Sequence, residues 1–197
     1  MGEIRSAIDI AMEKTAHIEG DKSSAENREL KNAGKRAAGD FLGTGDSDAL
    51  AKALKGKKAE QVKLVQEGII SILLASLRLP VVEEDLGKVE RIGSGLDAIL
   101  PDTGLSQLFG QVGQILHTYL SERDQLKVAL EQQFLPKLRA KQQELSRRYG
   151  QNIALEPTQD PEYMAALSKN IRMIEQKYDT VLDEVRSRVR EASGISE

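Results

Sequence analysis

The sequence predicts an all-α protein: a helical bundle that carries a long, proline-kinked, antiparallel helical hairpin with coiled-coil-like spacing at its C-terminal end. Three observations predict it. Apolar residues recur three and four apart through nearly the whole chain, the period of an amphipathic helix. Strand signals are scarce, and the β-branched pairs Ile69-Ile70 and Val81-Val82 do not alternate with polar residues. The last third keeps a seven-residue apolar repeat.

In the first segment Ile4, Ala7, Ile8, Ala11, Met12 and Ile18 share a face, and Gly20-Asp21 is expected to end the helix. A second helix is expected from about Ser24 to Phe41, on the spacing of Leu30, Ala33, Ala37 and Phe41. "GTGDSD" breaks it, and Asp46 is placed to cap the next helix by accepting from its free N–H groups. A short helix over Ser47 to Leu54 stops at "KGKK". A longer one runs from Ala59 to Leu79, where Pro80 stops it. Its second half is apolar on all sides, which puts it at the centre of the bundle. Leu86, Val89, Ile92, Leu96, Ile99 and Leu100 set a further helix before the turn "PDTG".

The longest predicted element runs from about Leu105 to Tyr149, with Pro136 inside it. The apolar stripe Leu126, Leu130, Phe134, Leu138, Leu145 crosses Pro136 in phase, and no capping residue stands before it to start a new helix. The helix is therefore expected to bend and continue, with Pro136 about 200° from Phe134, on the face away from the stripe. After "GQNIALEPTQD", Asp160 caps a last helix that has Pro161 in its first turn. There Met164, Ile171, Tyr178 and Val185 form one heptad series, and Leu167, Ile174 and Val181 the other. A tight connector would make the two stripes a seam in which facing residue numbers sum to about 310. Leu138 would then lie beside Ile171 and Arg172, and Lys127 beside Asp183. The expected division is a bundle over 1–125 and the hairpin over 126–197, packed on the bundle or projecting from it, or continuous with it.

Composition narrows the function. The 28 Lys+Arg and 31 Asp+Glu nearly balance over 197 residues, aromatics are 4%, and Trp is absent. This is poor material for base stacking. There is no cysteine, which removes thiolate nucleophiles, Cys-bound zinc and iron–sulfur clusters, and fits a reducing cytoplasm. The first twenty residues have no apolar core run and do not read as a signal peptide. Gly2 and Ser6 match a minimal myristoylation spacing, a short pattern read here as incidental. The longest uncharged apolar run, "GIISILLASL", is half the roughly 20 residues of a membrane span.

No catalytic residue, cofactor site or metal ligand is assigned. The two histidines, His17 and His117, are far apart in the chain. Glu13 with His17, and the cluster His17, Glu19 and Asp21, read as solvated surface; the Glu-x-x-His motif of di-iron bundles does not occur. Glu83-Glu84-Asp85 reads as acids at a helix N-terminus. No phosphate-loop glycine pattern and no Gly-x-Ser-x-Gly elbow is present. Gly110 and Gly113 read as a surface for close helix contact. The expected function is therefore a non-enzymatic cytoplasmic interaction or structural protein, acting on a protein partner or on its own copies. The alternative is nucleic-acid binding through phosphate contacts from Lys31, Lys35, Arg36, Lys52, Lys55, Lys57 and Lys58. A third reading is a small ligand held in the glycine-rich bundle.

Overall fold

The computed structural model describes residues 7–151 and 154–195, of residues 7–22 the backbone alone. Gly2, Ile4 and Ser6 lie outside the described residues, as do the side chains of Glu13, His17, Glu19 and Asp21. The protein is all-α. Among the described residues there are six helices and no strand: α1 (Ala7–Thr44), α2 (Asp48–Leu54), α3 (Ala59–Ser76), α4 (Leu86–Ile99), α5 (Leu105–Tyr149) and α6 (Pro161–Ser193). Short 3-10 turns at Glu83–Asp85 and Pro157–Gln159 precede α4 and α6. No helix among them is long and apolar enough to cross a membrane.

The chain forms two compact units. One comprises Met1–Ser76, Arg91–Ser106 and Ser193–Glu197; the other comprises Leu77–Glu90 and Gln107–Ala192. The expected boundary at residue 125 lies inside the second unit.

In the first unit, α1 packs on α3, and α2 packs against both. The approach of α1 to α3 is set by two glycines. A Cβ on Gly34 would land on the Val65 carbonyl oxygen, and a Cβ on Gly68 would land on the Lys31 carbonyl oxygen. The two contacts are reciprocal and antiparallel, so each helix lies backbone to backbone against the other. Around them Ala38, Phe41, Leu50, Val65, Ile69, Leu73, Ile92 and Leu96 are almost fully buried. Gly95 makes room for the Phe41 ring. Two long polar side chains satisfy carbonyls in the last turns of helices: the Gln66 amide donates to the Ile99 carbonyl at 2.8 Å, and the Arg91 guanidinium donates to the Leu42 carbonyl at 2.6 Å.

Several expected boundaries move. Gly20-Asp21 does not end a helix, and α1 is continuous from Ala7 to Thr44. A single helical glycine costs about 1 kcal/mol relative to alanine, and Ala-, Glu- and Lys-rich flanks can absorb that. The end of α3 comes at Ser76 rather than Leu79. The residue before a proline avoids the helical region, and the Leu77 carbonyl is taken by the Arg186 guanidinium instead of a helical N–H. Gly110 and Gly113 were expected at a close helix contact; nothing lies within 4 Å of a Cβ built on either. By contrast, α5 does run through Pro136, and Pro136 is exposed.

Two stability differences follow from these positions. Gly34→Ala is expected to destabilise the protein by about 1–3 kcal/mol, because the new methyl meets backbone that cannot rotate away. Gly39→Ala, in the same helix with open space around it, is expected to stabilise by about 0.5–1 kcal/mol. Urea unfolding of the two variants checks the contrast. Pro136→Ala restores an N–H toward the Gln132 carbonyl on an exposed face, and is expected to raise the melting temperature through a gain of up to about 3 kcal/mol. Thermal unfolding followed by circular dichroism reads it.

Candidate functional site

The second unit is built on α5 and α6, and one buried carboxylate sets how they meet. Asp160 is only 2% exposed. Its Oδ1 accepts the Glu162 and Tyr163 N–H groups at 2.8 and 3.1 Å, capping α6. Its Oδ2 accepts from the Lys141 ammonium of α5 at 2.7 Å. Glu162 adds to the cluster with Lys141 at 3.1 Å and Lys137 at 2.6 Å. Hydrogen bonding from Lys141 holds the Asp160 carboxyl below its ordinary 3.8, and hydrogen bonding to Asp160 raises the Lys141 ammonium above its ordinary 10.5. Hydrogen bonding from Lys137 lowers the Glu162 carboxyl.

Further contacts fix the same alignment: Phe134 stacks edge-on against Tyr163, Tyr119 against Tyr178, and Lys177 bonds Glu122 at 3.1 Å. The helices are antiparallel, and facing residue numbers sum to about 300. This corrects the expected register of about 310. Leu138 falls opposite the start of α6 rather than beside Ile171, and Lys127 lies 3.5 Å from Asp124 while Asp183 pairs with Arg186. The cause is the connector. It was expected to be a tight turn, but Leu155 lies back alongside Lys141 and Leu145, so α5 extends well past the point where α6 begins.

The seam residues take different environments. Leu130, Leu138, Tyr178 and Val185 are buried; Leu126, Phe134, Leu145, Leu167, Ile171, Ile174 and Val181 are half-buried. Met164 is exposed, and Tyr163 is buried in its stead, its hydroxyl 3.5 Å from Glu131. Leu182 and Val189 complete the buried face of α6. Tyr119, Leu120 and Tyr178 form a cluster against which Leu79, Leu86 and Ile174 pack. The segment before α4 is held onto this cluster by Arg123, which donates to the Val81 carbonyl at 2.8 Å. Asp85 Oδ2 accepts the Val81 and Val82 N–H groups there, and hydrogen bonding from Lys88 brings the Asp85 carboxyl to about 2.

Large apolar side chains are left on the outside of this pair. Val128 is 54% exposed, Leu135 43% and Tyr149 63%, all on one outward stripe of α5; Met173 is 60% exposed on α6. Sequence reasoning missed this stripe because it assigned apolar residues to the inner seam first. The signal was present in the spacing of Val128, Leu135 and Tyr149, seven and then fourteen residues apart.

The remaining candidates stand apart from the seam. Lys31 pairs with Glu67 across α1 and α3. Lys35, Arg36, Lys52, Lys55 and Lys58 are exposed and Lys57 is half-buried. His117 lies 3.2 Å from Glu83 on the surface, beside a shallow cleft floored by Gly110 and Gly113. Among the described residues no group of three or more metal-ligating side chains is assembled.

A protein-family model described as a family of unknown function (DUF6657) matches residues 51–191. The chain belongs to this family. Neither a curated protein nor a solved structure matches it. The DUF6657 match begins inside α2 and ends two residues before the end of α6, so it takes in all of α5, nearly all of α6 and the Asp160–Lys141 clamp.

The clamp sets an acid limit. Carboxylates with lowered folded-state pKa values add stability that is complete above their ordinary values and is lost as pH falls from there through the lowered ones. The urea midpoint is expected to fall below about pH 4. Asp160→Asn is expected to lower the midpoint at neutral pH and to flatten that acid decline. A midpoint profile measured from about pH 6 to pH 2 for both proteins checks this.

Proposed function

We propose that this DUF6657 protein is a non-enzymatic, cytoplasmic helical interaction protein that engages a protein partner through the outer face of the α5–α6 pair. The observation that carries the reading is the stripe of Val128, Leu135 and Tyr149, large apolar side chains held in water on a rigid helix. Scattered apolar residues on a surface are ordinary, whereas a row of them at heptad spacing matches how one helix receives another. The half-buried seam supports the same reading, since two helices alone leave the flanks of their contact open to a third.

A second reading is favoured by a different observation. Lys52, Lys55, Lys57 and Lys58 have no acidic partner among the described residues, and four cations in seven positions suit a phosphate backbone. Binding of this kind would weaken steeply with salt.

The test of the first reading is capture from native cell extract with the wild-type protein and a Val128→Glu/Leu135→Glu variant. Both side chains are exposed, so the variant is expected to melt within a few degrees of the wild type. A stoichiometric protein partner retained by the wild type and lost by the variant is the expected result. Capture that does not depend on the stripe, or salt-sensitive retention of nucleic acid that needs the lysines, would overturn it.

A further inference from the structure

We propose that the cleft between the start of α4 and the first part of α5 docks a lysine- or arginine-bearing segment of a partner protein. This surface lies on α5 ahead of Val128 and goes beyond the stripe reading. Residues 81–90 run antiparallel along α5. The Arg123 guanidinium holds the Val81 carbonyl, His117 lies 3.2 Å from Glu83, and Leu86 and Glu90 stand beside Gly113 and Gly110. Leu86 and Phe109 give the cleft its apolar walls, and the two glycines form its floor.

The rim decides what fits. Glu83, Glu84 and Glu90 are exposed. The partner of Glu83 is the His117 imidazole, and Glu84 and Glu90 have no cationic partner among the described residues. Lys88 is the one lysine or arginine between 81 and 90, and Arg123 the one between 107 and 123. Both are committed: Lys88 bonds Asp85 at 2.7 Å, and Arg123 donates to Val81. The rim therefore presents carboxylates that the chain does not neutralise. A phosphate-bearing or acidic partner is repelled there, and a purely apolar one strips water from the carboxylates without replacing it. Among the described residues no group of three metal-ligating side chains is assembled, so a metal ion is not the cation the rim suits. A lysine or arginine satisfies both parts of the cleft, with its aliphatic stem on Leu86 and its charged head at the rim.

The floor leaves room for that stem. Nothing in the chain lies within 4 Å of a Cβ built on Gly110 or Gly113, although glycine is the weakest helix former after proline. Open glycines alone select no partner, and Gly39 and Gly43 of α1 are open too; at the cleft they lie between apolar walls and under unneutralised acids. The lip is set in advance. Asp85 accepts the Val81 and Val82 N–H groups at 3.0 and 3.3 Å, so the exposed valines and the acids that follow them need little ordering on binding.

Fluorescence anisotropy of the full-length protein with a labelled peptide of Ala, Leu and Lys, about four helical turns long, tests this. A twin with Glu in place of Lys is the control probe. The lysine peptide is expected to bind, and to bind less well as salt rises; the glutamate twin is expected not to bind. Gly113→Leu fills the floor where the chain itself leaves room, and leucine favours the helix. This variant is expected to keep its melting temperature and to lose roughly ten-fold in affinity or more. Glu83→Gln/Glu90→Gln is expected to weaken binding about five-fold, while Glu60→Gln/Glu144→Gln, the same change of charge elsewhere, leaves it as it was. No binding, equal binding of the glutamate twin, or an affinity that either Gly113→Leu or the rim variant leaves unchanged overturns the proposal. So does an equal loss in the two glutamine variants, which would mean attraction to net charge alone.

Discussion

The arrangement of the α5–α6 unit depends on where one carboxylate is buried. Asp160 is both the cap of α6 and the acceptor for Lys141 of α5. A buried carboxylate without partners would be costly, so these bonds tie the first turn of α6 to one level of α5. Every later contact along the pair, from Tyr163 on Phe134 to Tyr178 on Tyr119, follows at helical intervals from that level. A shift of a few residues would break the clamp and turn different side chains outward. The exposed stripe of α5 is therefore as much a product of Asp160 as the buried seam is.

The helices were legible in the sequence because their signals are local. Apolar spacing located five of the six helices of the described residues as single elements and divided α1 in two at Gly20-Asp21, while Asp160, Pro161 and Asp46 marked helix starts that the hydrogen bonds place there. Pro136 could be carried inside α5 because the stripe keeps phase on both sides of it. Register was not legible. It depends on a bond between Lys141 and Asp160 and on a connector that doubles back past Leu145, and neither leaves a periodic trace. Met164 was assigned to the seam for the same reason: it keeps the heptad beat, but its neighbour Tyr163 offers a larger buried surface and a hydroxyl that reaches Glu131. The family match gives the chain relatives without giving it a role, so the functional reading rests on side chains.

Each unit holds its helices by its own means. Between α5 and α6 the contact is made by side chains: aromatic edges, a lysine clamp and half-buried aliphatic residues. Between α1 and α3 side chains are absent at the point of closest approach, and the carbonyls of Lys31 and Val65 occupy the places where Cβ atoms would be. The glycines expected to mediate helix contact, Gly110 and Gly113, instead face open space, and the glycines that do so sit among alanines and isoleucines in otherwise ordinary helical sequence.

The reciprocal placement of Gly34 and Gly68 limits how this crossing can drift over evolutionary time. In most cores a larger residue at one site is offset by a smaller one across the contact. Here each glycine faces main chain, and main-chain atoms are the same whatever residue carries them. No change at position 65 or 31 can make space for a methyl at 34 or 68. The two sites are closed to compensation, and the crossing can change only if the helices move apart as whole bodies.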